Sequence, residues 1–151
     1  MKNILPNNSL IVDSGFWIAL GSPKDKHFEL AQAALLNYKQ FVFISTWPVI
    51  IETSYLLHKR MSFKAQQVFL TNIEQGGMEV FHLNIQGHLN KCRKLMHKYQ
   101  DLPMDLADAS LVILAEELGH GRILSTDQRD FNAYRWKNHK PFENLLLGTE
   151  Q

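Results

Sequence analysis

Five acidic residues stand at places in the chain where a carboxylate needs a reason. Asp13 interrupts "SLIVDSGFWIAL", directly after Leu10, Ile11 and Val12 and just before another apolar run. A carboxylate left unpaired among such neighbours suffers a large desolvation cost or takes a raised pKa. Glu52 is the only charge in "TWPVIIETSYLL". Asp105 and Asp108 open "DLADASLVILAEELG", with Asp108 one helical turn on and about 60° around the axis. Asp127 follows the apolar "RIL" in "RILSTDQRDF".

Each acid alone has an ordinary structural role open to it. Asp13 and Asp127 can end strands as turn or cap residues. Asp105 and Asp108 have the spacing of a capping box, which makes Asp105 a candidate N-cap. Glu52 can pair with Lys59 or Arg60. Together the acids ask for more, because carboxylates gathered at one edge repel one another unless they are protonated or neutralised. No histidine or cysteine stands at a fixed spacing beside them, and the seven histidines include no HExxH pair. Hard oxygen donors without soft ones favour Mg²⁺ or Mn²⁺ over zinc. Divalent ions so held clamp the attacking and leaving oxygens of a phosphodiester.

The elements that must position these acids alternate. "SLIVD", "FVFIS", "MEVFHL" and "RILST" read as short buried strands, with "FENLLL" as a last edge strand. Between them lie helical patterns. "DKHFELAQAALLNY" places Phe28, Ala31, Leu35 and Tyr38 on one stripe, and Pro48 marks the start of "VIIETSYLLHKR". "SFKAQQVFLTNIE" ends at Gly76 and Gly77, and "IQGHLNKCRKLMHKYQ" is a long polar helix. The helix after Asp105 carries a stripe of Ala107, Leu111, Leu114, Ala115 and Leu118 and stops at Gly119. Such alternation predicts a three-layer α/β/α domain with a mainly parallel sheet. Sites in such sheets form outside the carboxyl ends of the strands, where Asp13 and Asp127 would emerge.

Composition sets the outer limits. The 151 residues, 45% hydrophobic and 21% charged, predict one domain spanning residues 1–151. A net charge of +1 means that any nucleic-acid contact must be local. The basic stretch Lys91, Arg93, Lys94 and Lys98 is one candidate; Arg129 and Arg135, close in sequence to Asp127, are placed better. A single cysteine, Cys92, excludes an internal disulfide and suits a reducing compartment. No run approaches a membrane span and the N-terminus lacks a signal-peptide core, so the cytoplasm is expected.

With these motifs in order, the chain resembles the PIN-domain family, especially its toxin ribonucleases of VapC type, over nearly its whole length. "LIVDSGFWIAL" is similar to the family's opening strand with the first acid, Asp13, followed by a small hydroxyl residue, Ser14. "TWPVIIETSYLL" places the second acid on Glu52 and "LADASLVILAEELG" the third on Asp108, with Asp105 as an additional acid beside it. "RILSTDQRDF" places Ser125 at the family's hydroxyl position and Asp127 at its fourth acid. The resemblance implies a Mg²⁺- or Mn²⁺-dependent endoribonuclease that leaves a 5′-phosphate and a 3′-hydroxyl. It also implies a homodimer and a small antitoxin that covers the acidic site. Asp13, Glu52, Asp105, Asp108 and Asp127 would form the metal-holding set, with Ser14 and Ser125 fixing ligands by hydrogen bonds. A housekeeping PIN ribonuclease without an antitoxin is the nearest alternative. A catalytically silent PIN-like binding module is the other.

Overall fold

Ser9–Val12, fully buried, forms the central strand β1 of the computed structural model, which describes residues 5–148. Its burial on both faces explains why it reads as an unbroken apolar run. The chain then leaves β1 through helix α1 (Ser14–Gly21) and helix α2 (Phe28–Asn37) to strand β2 (Val42–Thr46). Helices α3 (Trp47–Arg60) and α4 (Phe63–Glu74) lead to strand β3 (Glu79–Phe81). Helices α5 (Ile85–Lys98) and α6 (Leu106–Leu118) cross back to strand β4 (Arg122–Leu124). A short helix α7 (Gln128–Ala133) and a hairpin of β5 (Arg135–Trp136) and β6 (Lys140–Pro141) precede the edge strand β7 (Glu143–Asn144).

The five-stranded sheet has the order β3-β2-β1-β4-β7, and each adjacent pair is parallel. Successive strands are added outward from β1 to β3, and the chain then returns to the other side of β1 to place β4. The strand order therefore reverses between β1 and β4, and a crevice opens at their carboxyl ends. The register Val12↔Leu124 puts Asp13 level with Ser125 at that crevice.

Strand alternation divides the core in two. Ile11, Ile44 and Ile123 face a cluster built with α5, α6, α7 and the hairpin. Leu10, Val12, Phe43 and Leu124 face the cluster of α1, α2 and α4. Helix α3 lies at the join, giving Val49 to the first cluster and Ile50 and Leu57 to the second. Among the described residues no helix is long and apolar enough to cross a membrane.

Several elements differ from the sequence expectation. In α2 the buried residues are Ala31 and Ala34, while Leu35 is 39% exposed, so small residues make the close contact and the larger ones stay outside. In α6 burial runs unbroken from Ala109 to Ala115, because the helix is enclosed by the sheet, α5 and the hairpin rather than lying on a surface. Helix α7 and the hairpin were not expected. The hydroxyl of Thr46, beside the helix start marked by Pro48, forms no cap bond and instead meets Ser110 at 2.6 Å.

Candidate active site

Asp13 leaves the end of β1 and begins α1. Its backbone N–H donates to Leu124 O, tying it to β4. One carboxylate oxygen accepts the Ser14 N–H at 2.8 Å, and the other accepts the Ser125 hydroxyl at 3.0 Å. Ser125 is fully buried, and its Oγ also accepts the Asp127 N–H at 2.9 Å. One hydroxyl thus fixes the first acid and the loop that carries the fourth.

The backbone of Ser125 is held in turn by Asn144 on the edge strand. The Asn144 amide donates to Ser125 O at 2.9 Å, and its carbonyl accepts the Ser125 N–H at 3.4 Å. Glu52, in the second turn of α3, accepts the Ser14 hydroxyl at 2.7 Å rather than pairing with Lys59 or Arg60. Gly15 is required by close approach, because a Cβ there would fall 1.8 Å from Thr126 Oγ1. The first turn of α1 and the β4–α7 loop are therefore in direct contact.

Asp105 caps α6, accepting the Asp108 N–H at 2.8 Å, and is itself exposed. Asp108 receives the Tyr134 hydroxyl at 3.0 Å. That tyrosine ring is fully buried and packs edge-on against Tyr99 and Phe131. Asp127 caps α7 by accepting the Asp130 N–H at 3.1 Å. The fold thus brings four acids distant in sequence to one crevice, and helix starts place three of the five acidic side chains named from the sequence.

The acids also act on one another's protonation. Burial raises the Asp13 carboxyl to about 6, against the Ser14 and Ser125 hydrogen bonds, and the charges of Glu52 and Asp127 push it the same way. Burial raises Asp108 to about 8, helped by the charges of Asp105, Asp13 and Asp127, while the Tyr134 bond opposes the shift. Asp127 is also raised, first by burial and then by the neighbouring Asp130 carboxyl. Each is a carboxylate short of positive charge.

The donor set fits a hard cation, since every candidate ligand atom is a carboxylate oxygen and mutual repulsion favours neutralisation by a dication. Among the described residues no three His, Cys, Asp or Glu side chains already form a metal cage.

The basic residues named from the sequence divide. Arg129 is exposed, with its Nε 3.2 Å from Asp130 Oδ1. Arg135 donates through one guanidinium nitrogen, Nη1, to the carbonyls of Asn132 and Tyr134, at 2.6 and 2.9 Å. Trp17 forms part of the wall of an apolar groove with Tyr38, Phe43, Met61 and Phe69, away from the acids, and Trp47 is 47% exposed. Sequence reasoning missed Tyr134 and Asn144. Asn144 had a signal: a lone amide inside "FENLLL" raises the same question as the acid inside "SLIVDSGF".

A family model for the PIN domain matches residues 10–137, which include all five acids. The chain belongs to the PIN-domain family. Within it, this PIN domain is similar to Ribonuclease VapC26 of Mycobacterium tuberculosis, at 30% identity over 87 residues. That match covers 58% of this chain and spans 64% of the relative's length. The fold matches the crystal structure of Mycobacterium tuberculosis VapC20, described as a sarcin-ricin loop cleaving toxin, with a TM-score of 0.73 at 23% identity. The superposition covers 88% of this chain and all of that one (100%).

Proposed function

We propose that the protein is a metal-dependent endoribonuclease acting as the toxin of a toxin–antitoxin pair. The observation that carries this reading is the meeting of Asp13, Glu52, Asp108 and Asp127 at the crevice between β1 and β4, with buried hydroxyls orienting three of them. Ribonuclease and toxin are the descriptions of the two relatives, and the same chemistry is proposed here. The full set of acids speaks against a silent binding module.

Asp13, Asp108 and Asp127 would hold Mg²⁺ or Mn²⁺, with Glu52 at a second ion or at the attacking water. When bound, the ion supplies a Lewis acid and lowers the pKa of its water. The chain's own residues do the positioning. Ser125 holds the Asp13 carboxylate, Ser14 holds Glu52, and Tyr134 holds Asp108, so none of the three needs to reorganise as charge develops on the phosphate. Water adds to phosphorus and the bond to the 3′-oxygen breaks, leaving a 5′-phosphate and a 3′-hydroxyl.

A homodimer is proposed on the exposed face of α3, where Trp47, Ile51 and Tyr55 recur at four-residue spacing with 47%, 65% and 59% exposure. A cytoplasmic setting and an antitoxin encoded beside this gene complete the proposal. The antitoxin separates it from a housekeeping ribonuclease.

The test is cleavage of structured and unstructured RNA by purified protein with Mg²⁺, Mn²⁺ or EDTA, beside Asp13→Asn. Cleavage that needs the ion and is lost in Asp13→Asn is expected. The ions should also raise the melting temperature of the wild type more than that of the variant, since ligands of the folded state stabilise it by mass action. Full activity in Asp13→Asn overturns the metal reading.

A further inference from the structure

Away from the acids, a cleft of about 450 Å³ lies between α5, α6 and the turn of the β5–β6 hairpin. Its walls carry Lys91, Lys94 and Lys98 from α5, Glu116 from α6, and Lys137 and Asn138 from the turn. The three α5 lysines recur at spacings that place them on one side of the helix. Helix α5 contains no acidic residue. Among the described residues none of the four lysines forms an ion pair. Unpaired ammonium groups gathered on one cleft repel one another, and a polyanion relieves that repulsion.

The turn that completes the cleft is unusual. Lys137 and Asn138 both have left-handed backbone, with φ of 48° and 66°. Asparagine tolerates that region, but a lysine there is uncommon and persists only where its surroundings hold it. Here Glu116 Oε1 accepts the Lys137 backbone N–H at 3.0 Å. The cleft thus sets one carboxylate, bonded to the turn's backbone through one oxygen, against four lysines.

The cleft is linked to the acidic crevice through the protein interior. Asp108 accepts from Tyr134, whose ring meets Tyr99 at 5.1 Å, and the Lys98 ammonium lies 5.1 Å over the Tyr99 ring. We propose that this cleft binds the phosphate backbone of the RNA strand on one side of the scissile bond. The strand needs such a hold because the crevice itself is acidic and repels the flanking phosphates. That the bound strand is the substrate rests on the nuclease reading; the cleft itself does not.

Binding of fluorescein-labelled oligouridylate in EDTA, followed by anisotropy across a salt series, tests it. Wild type, Lys94→Gln/Lys98→Gln and Lys137→Gln are compared with Lys24→Gln/Lys26→Gln, which removes the same charge as the first pair from the α1–α2 loop. Each cleft lysine removed should weaken binding and flatten the plot of log affinity against log salt by about 0.7. The loop variant should keep the wild-type slope. Equal behaviour of the two double variants overturns the proposal, and so does displacement by oligoglutamate as effective as displacement by unlabelled oligouridylate. Lysine-dependent binding without cleavage in Mn²⁺ keeps the cleft and removes the nuclease reading. Mn²⁺-dependent cleavage indifferent to the lysines does the reverse.

Discussion

The Ser125 hydroxyl donates to Asp13 at 3.0 Å and accepts from the Asp127 N–H at 2.9 Å, so two acids on different loops share one fully buried atom. Ser125→Ala removes that atom and leaves a buried carboxylate oxygen and a backbone N–H without it. The expected loss is about 1–3 kcal/mol of stability, with roughly 10–100-fold weaker Mn²⁺ binding. Urea unfolding and Mn²⁺ titration read the two effects separately. Unchanged Mn²⁺ affinity would mean that Ser125 orients no ligand.

The acids also make stability depend on pH in an unusual direction. Asp13 and Asp108 are raised in the folded protein to about 6 and about 8, so the native state binds protons that the unfolded chain has already lost. Their contribution is fully present near pH 4 and is lost as pH rises through 6 and then 8. For buried Asp13, ionisation is on the order of 3 kcal/mol harder in the folded state. Melts in EDTA should therefore be higher at pH 5 than at pH 8, and Asp13→Asn should flatten the difference. A melting temperature that rises with pH over this range would contradict the burial of these carboxyls. Saturating Mn²⁺ should reduce the slope.

Asp105 and Asp108 divide capping from coordination. Asp105→Ala should cost about 0.5–2 kcal/mol, while Asp105→Asn, another good cap, should cost little. Cleavage should largely survive both. Asp108→Asn should abolish cleavage with little loss of fold. An inactive Asp105→Asn beside an active Asp108→Asn would reverse the two assignments.

Gly15→Ala should destabilise strongly, because the new methyl meets Thr126 Oγ1 in the first turn of α1. Thr126→Ala should recover part of that loss, since the atom met at 1.8 Å is gone while Thr126 Cβ remains at 3.0 Å. A double-mutant cycle by urea denaturation measures the coupling. Strict additivity would show that this contact carries no coupling energy.

Much of this was legible before the coordinates. Asp13 and Asp127 stand out as acids after apolar strands, Asp105 by its capping-box spacing to Asp108, and the alternation of patterns predicts the parallel sheet. What escaped was short or distant. Helix α7 has six residues and the hairpin strands two each, too few for a period to appear. Tyr134 reaches Asp108 across 26 residues and Asn144 reaches Ser125 across 19, and those separations carry no local spacing rule. In α6 the apolar stripe understated burial, because periodicity reports one face and the fold covers nearly all of them.

Asp13, Asp105 and Asp127 are each the residue that starts a helix as well as a carboxylate of the acidic set. That double duty shapes how a lineage could lose the activity. Alanine would damage the helix start and be removed with the unfolded protein, whereas asparagine keeps the cap and discards the charge. A single base change converts an aspartate codon to an asparagine codon. Retired copies of this gene should therefore carry amides at Asp13 or Asp127 and still produce well-folded protein, so their silence would leave no trace in expression.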